Sequence, residues 1–232
     1  MAIHKSILGF LLKWLFALLL IWLSLSMGWV LGHAWVGIPW SNKTTLVFLS
    51  GFALYLIIHF AFYKPILTHV LAHELTHALA ALLMGGKVTA VHATTTGGST
   101  LINKSHVFIS LAPYVFPFYT AVTFGLYLIA AEPFKIYIVG LMGFTYAFHV
   151  ALTIYSLSHP QSDLKDGGVA FSLIFILAGN MIGLMLLTSF VWPQILPLSA
   201  AFSQTYHRAV ELARMCFYLV KPHLLHREAP TP

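Results

Sequence analysis

Charge is what this chain lacks most: only 8% of its 232 residues are Asp, Glu, Lys or Arg, and six of those are acidic. A water-soluble domain carries about 25% charged residues, so a chain this poor in charge and 59% hydrophobic is not built to be surrounded by water. Cysteine is scarcer still. Cys216 stands alone, which excludes an intrachain disulfide and any metal site held by several thiolates. Ligands for a metal must then come from the 13 histidines and the six carboxylates. The net charge of +6 lies mostly in short connections and near the C-terminus, where it suits anionic lipid headgroups. No base-stacking motif accompanies it, so nucleic acid is not an expected partner.

What the chain has in abundance is long apolar runs. A helix needs about 20 residues to cross a hydrocarbon core, and six segments approach or exceed that: 8–31, 46–63, 65–84, 107–131, 136–157 and 169–192. The first is too long for the core of a signal peptide and reads as an anchor helix. Pro113 and Pro117 should bend or split the fourth. The stretch 87–105 breaks the pattern: 87–96 alternates and is β-branched, Gly97-Gly98 is a turn pair, and 99–102 follows, which predicts a β-hairpin. Glu132 to Lys135 reads as a tight connection. Residues 199–220 place Phe202, Tyr206, Ala209, Leu212, Ala213, Cys216 and Phe217 on one face, with His207, Arg208, Glu211 and Arg214 largely elsewhere, predicting an amphipathic helix at the lipid interface. From Arg227 a disordered tail is expected. The predicted fold is an all-α membrane protein of about six transmembrane helices, with a short hairpin after the third and an amphipathic C-terminal helix. Its expected parts are 1–64, a core at 65–192, and 193–232.

One pentad in the third segment carries chemistry. In His73-Glu74-Leu75-Thr76-His77 the two imidazoles are four residues apart, so a helix projects both from one face, where they can share one Zn2+. Glu74 then neighbours any water on that ion and is the expected general base. An ionisable group at the middle of a bilayer costs on the order of 2.5–3.5 kcal/mol or more, so Glu74 there is a sign of use. A catalytic zinc usually has three protein ligands and one open position. Of the remaining acidic residues, Glu132 sits in the tight connection, Glu211 on the surface helix and Glu228 in the tail. Asp163 and Asp166 are left, both just before the sixth apolar segment.

The pentad with Ala78, Leu79 and the Gly85-Gly86 stop, the hairpin after it, and a late Asp-bearing turn opening an apolar helix resemble the site-2 protease family of intramembrane zinc metalloproteases. The similarity spans roughly 65–190. It implies that the chain is a metalloendopeptidase, a hydrolase that cuts a membrane protein or transmembrane peptide using Zn2+ held by His73, His77 and an aspartate. The family's third ligand lies in a Leu-Asp-Gly type motif. Here Leu164-Lys165-Asp166-Gly167 carries an inserted lysine, whereas Gln161-Ser162-Asp163-Leu164 resembles the turn of smaller members. Asp163 is therefore preferred and Asp166 is the alternative, since Asp166 can instead cap a helix. A second departure is that counting segments four and five as full crossings puts the Asp turn at the wrong end of the zinc helix.

Other polar residues are candidates for supporting roles. Asn180, and after it His92 and His149, are candidate oxyanion-stabilising or neighbouring groups, because developing charge needs a donor besides the metal. His59 and His149 are expected to bond neighbouring helices, and Gly125, Gly140, Gly143, Gly179 and Gly183 to permit close packing. The hairpin edge could align an extended substrate by strand addition. A multi-pass protein of a bacterial plasma membrane is the expected setting. The competing reading is a non-catalytic metal-binding scaffold or transport-related protein.

Overall fold

The computed structural model describes residues 2–62 and 64–225; the expected tail from Arg227 lies outside them. In chain order the elements are α1 (Ala2–Val36), α2 (Lys43–Ala61), α3 (Ile66–Leu83), β1 (Val88–Thr94), β2 (Gly97–Ile102), α4 (Val107–Val115), α5 (Phe118–Ile129), α6 (Glu132–Leu157), α7 (Asp163–Gly167), α8 (Val169–Val191) and α9 (Leu198–Leu225). Five of the helices are long and apolar enough to cross a membrane, or six if the bent pair α4 and α5 counts as one. That is consistent with a membrane protein.

The chain divides into two compact units, Met1–Ile38 with Leu184–Pro232, and Pro39–Gly183. In the first unit α9 packs on α1. Trp22 Nε1 donates to the Ala209 carbonyl at 3.1 Å, and the Arg208 guanidinium lies 4.6 Å from the Trp29 ring centre. Ala201 and Thr205 are buried, while Phe202, Tyr206 and Phe217 of the apolar stripe are exposed, as an amphipathic helix at a lipid interface would present them.

The second unit is built on α2 against α6. Their backbones touch: a methyl group on Gly143 would lie 2.0 Å from the Phe48 carbonyl oxygen, and one on Gly51 1.9 Å from that of Gly140. Tyr55, Ala147, Phe148, Ala151 and Leu152 fill the adjoining core. By contrast, Gly125 and Gly183 have no close neighbour, so they do not serve the packing expected of them. The Glu132 to Lys135 stretch is the first turn of α6 rather than a loop, since Pro133 needs no donor there.

Helix α3 ends as the sequence suggests. Gly85 takes a left-handed φ of +73°, which a glycine adopts without steric cost. Lys104 Nζ donates to the Met84 carbonyl at 2.7 Å, closing the helix end from across the hairpin. The hairpin lies along α3 and turns two residues earlier than expected: Thr94 pairs with Gly97, so Thr95-Thr96 form the turn and Gly97-Gly98 open β2. Thr94 Oγ1 donates to the Gly97 carbonyl at 2.7 Å and makes that turn without a glycine.

After the hairpin, α4 runs back along α3, with Ile109 beside His77 and Tyr114 beside His73. The chain then bends by 65° into α5. Tyr119 at the start of α5 donates to the Thr68 carbonyl, and Ser156 at the end of α6 meets His69. Thus α5 departs from, and α6 returns to, one end of α3. The fourth apolar segment is split, as its prolines suggest, into two short arms of 9 and 12 residues.

Candidate metal centre

Three side chains from two elements converge on one point. From α3 come His73 and His77, whose Nε2 atoms are 3.1 Å apart. From α7 comes Asp163, whose Oδ2 lies 3.2 Å from the first and 3.6 Å from the second. Ligands at about 2.0–2.1 Å from a tetrahedral zinc are about 3.3 Å from one another, so the three separations match the edges of one face of such a tetrahedron. All three side chains are mostly buried but open into a cavity of about 650 Å³. Among the described residues the group holds these three side chains, leaving a fourth position to the cavity.

The ring chemistry also fits a cation. His77 Nδ1 donates to the Ile109 carbonyl at 2.9 Å, which places a proton there and turns Nε2 toward Asp163 and His73, the atom a metal would take once it is deprotonated. Burial pushes the Asp163 carboxyl up, but hydrogen bonds and charge from the two imidazoles outweigh it and hold the group well below the usual carboxylate range. It is an anion at neutral pH. The turn that carries it is anchored by Leu164, buried among Leu111, Tyr114 and Ile176, and by Ser172 Oγ donating to the Leu164 carbonyl at 3.0 Å.

Glu74 points from the same cavity wall toward the hairpin and is only 6% exposed. Thr100 Oγ1 lies 2.7 Å from its Oε2 and 2.9 Å from its backbone carbonyl, so the hydroxyl proton serves either oxygen. A methyl on Gly98 would stand 2.6 Å from Glu74 Cγ, so β2 rests directly on the carboxylate arm. The other oxygen, Oε1, lies against Gly98 on the cavity wall.

The structure separates the two aspartates. Asp166 Oδ2 accepts from Ser110 Oγ at 2.6 Å, pinning α7 to α4, and it is not part of the convergent group. One helical turn after Asp163 it faces α4 instead of α3. Asn180 is not beside the imidazoles either. Its Nδ2 donates to the Tyr114 and Ile176 carbonyls, both at 2.8 Å, and its Oδ1 meets His149 Nε2 at 3.2 Å, so its polar atoms are committed between helices. The oxyanion role expected for it has no geometric basis. His149 bonds the neighbouring α8 as anticipated, whereas His59 bonds Tyr55 of its own helix. His92 is exposed on β1, paired across the hairpin with Ser99 and away from the cavity.

Sequence reasoning missed Tyr114, whose hydroxyl donates to Asp163 Oδ2 at 2.9 Å and whose ring stands edge-on to His73. It missed Thr100 for the same reason: neither belongs to a motif, and each meets its partner only through the fold. His69 was a readable signal, one turn before His73 in an i, i+4, i+8 row; it lines the cavity and bonds Ser156 Oγ at 2.8 Å. Comparison of the chain with protein-family models, with curated proteins and with solved structures finds no match.

Proposed function

We propose that this chain is a zinc metalloendopeptidase acting within a lipid bilayer, of the site-2 protease type, on a membrane protein or transmembrane peptide. The observation that carries the reading is the meeting of His73 Nε2, His77 Nε2 and Asp163 Oδ2 at zinc-ligand spacing, with Glu74 on the same cavity. A purely structural zinc is closed by four protein ligands, and the group of three argues for the open catalytic arrangement.

When bound, zinc would lower the pKa of a water to about 7 and polarise the scissile carbonyl. His73, His77 and Asp163 hold the ion; the Ile109 carbonyl sets the tautomer of His77. Glu74 Oε1 accepts the proton of the attacking water and delivers it to the leaving nitrogen, while Thr100 steadies Oε2. Strand β2 is paired on one side only and contributes Gly97 to Thr100 to the cavity wall. Its open edge can align an extended substrate by backbone hydrogen bonds.

The test is zinc content and cleavage measured together on detergent-purified protein. Glu74→Gln should keep zinc and lose about 10²–10⁴ in rate, the usual worth of general acid–base catalysis. His73→Ala should lose both. A Glu74→Gln protein with unimpaired biological activity would favour the scaffold or transport reading.

A further inference from the structure

We propose that Pro113 and Tyr114, adjacent in α4 and outside the cavity lining, are the positioning residues of the metal centre: Pro113 sets His77 and Tyr114 sets Asp163. The inference rests on the reading of these side chains as zinc ligands.

In an unbroken helix the N–H of residue 113 would donate to the carbonyl of residue 109. Proline has no N–H, so the Ile109 carbonyl is released from the ladder. A carbonyl in apolar surroundings needs a donor, and the one it receives is His77 Nδ1 at 2.9 Å. A backbone irregularity on one helix thereby fixes the proton of a ligand on another and leaves Nε2 for the metal. Any other residue at 113 brings an N–H that competes for the same oxygen.

Tyr114 acts on the opposite side. It is 1% exposed, and its hydroxyl donates at 2.9 Å to the very Oδ2 that faces both imidazoles; Gln161 Oε1, at 3.2 Å, is its other neighbour. Its ring stands at 88° to that of His73, with centres 5.2 Å apart, so one side chain constrains two ligands. The residue is itself braced. The Tyr114 carbonyl lies in the last turn of α4, where the helix supplies no donor, and Asn180 of α8 fills that place at 2.8 Å. Gly179 brings α8 so close that a methyl there would stand 2.3 Å from Val115 Cγ1.

Partners that orient a metal ligand are worth about ten- to a hundredfold in metal affinity. Zinc affinity is measured by chelator competition on the full chain in detergent, with the visible spectrum of the Co2+-loaded protein and the unfolding temperature of the metal-free protein beside it. Tyr114→Phe, which keeps the ring, should bind zinc about ten- to a hundredfold more weakly. Pro113→Ala should bind it about tenfold more weakly with no fall in unfolding temperature, since the helix regains a hydrogen bond. Both should alter the Co2+ spectrum. Tyr55→Phe removes another buried hydroxyl of the same unit, one that bonds His59, and should leave affinity and spectrum unchanged. Wild-type affinity in both the Tyr114 and Pro113 variants overturns the proposal, as does an equal loss in the Tyr55 control. A wild-type chain that takes up no zinc overturns the metal reading itself, and this inference with it.

Discussion

Gly98 is where the catalytic reading meets its most direct mechanical test. Its φ is not positive, so alanine fits the backbone there and only the added methyl matters. That methyl would lie 2.6 Å from Glu74 Cγ, 2.7 Å from Glu74 Oε1 and 2.7 Å from Val70 Cγ1. Carbon atoms in contact sit about 3.5–4.0 Å apart, so Gly98→Ala requires about 1 Å of retreat. Val70 and Glu74 lie one turn apart on α3, and both cannot yield without either lifting the hairpin or rotating the glutamate. Lifting the hairpin breaks the Thr100 bond to Oε2; rotation moves the carboxylate itself. Either way the base is displaced by about 1 Å, an error that costs about 10² in rate, while the overpacking costs about 1–3 kcal/mol of stability. None of the clashing atoms belongs to a metal ligand, so zinc should stay. The assay is kcat/KM on a fluorogenic transmembrane peptide, with zinc content and thermal unfolding on the same preparation. A Gly98→Ala protein that holds zinc and cleaves at the wild-type rate would refute the placement of Glu74 under the hairpin.

The remaining predictions concern the two aspartates and pH. Asp166→Ala should retain full zinc stoichiometry and lose about 0.5–1.5 kcal/mol, the net worth of a hydrogen bond, whereas Asp163→Ala should abolish zinc binding; loss of zinc in the Asp166 variant alone would reverse the ligand assignment. Zinc affinity should fall as the pH is lowered, because protons then compete with the metal for its ligand atoms, and chelator competition from pH 8 to 5 reads this directly. In the metal-free protein the depressed Asp163 carboxyl contributes stability that is present above the unfolded carboxylate value of about 3.9 and lost as pH falls through the lower folded one. Asp163→Asn should therefore flatten the acid limb of unfolding temperature against pH.

Much of the fold was legible in the sequence because apolar length and helical spacing are local properties. The runs at 65–84 and 169–192 became α3 and α8 nearly residue for residue, and the β-branched alternation after Lys87 became β1. His73, Glu74 and His77 were legible for the same reason, since one helix sets their spacing. Asp163 was preferred over Asp166 and is the one that joins the two histidines, but the choice was narrow because a five-residue turn gives both aspartates similar local surroundings. What separates them is the Ser110 hydroxyl in one turn of α4 and the Tyr114 hydroxyl in the next, and no pattern within 161–168 reveals either. The amphipathic stripe of α9 was legible because helical spacing sets it, whereas the buried Ala201 and Thr205 follow from neighbours that the spacing does not name.

Gly97-Gly98 and Pro113 show why punctuation residues are the hardest to read. Each announces a departure from regular structure, and the ordinary inference is a turn and a bend. The hairpin makes its turn with threonines, however, and spends Gly98 on closeness to Glu74. Pro113 does not end α4, which continues to Val115; its effect is the carbonyl it frees four residues earlier, where His77 needs an acceptor. In both cases the missing atom, a Cβ or an N–H, matters for what another element can then do in the space or to the oxygen left available. A backbone with unused polar groups is costly in an apolar interior, so such gaps persist where a functional side chain fills them. That ties the hairpin to Glu74 and the interrupted helix to His77, at the two places where the chain breaks its own periodicity.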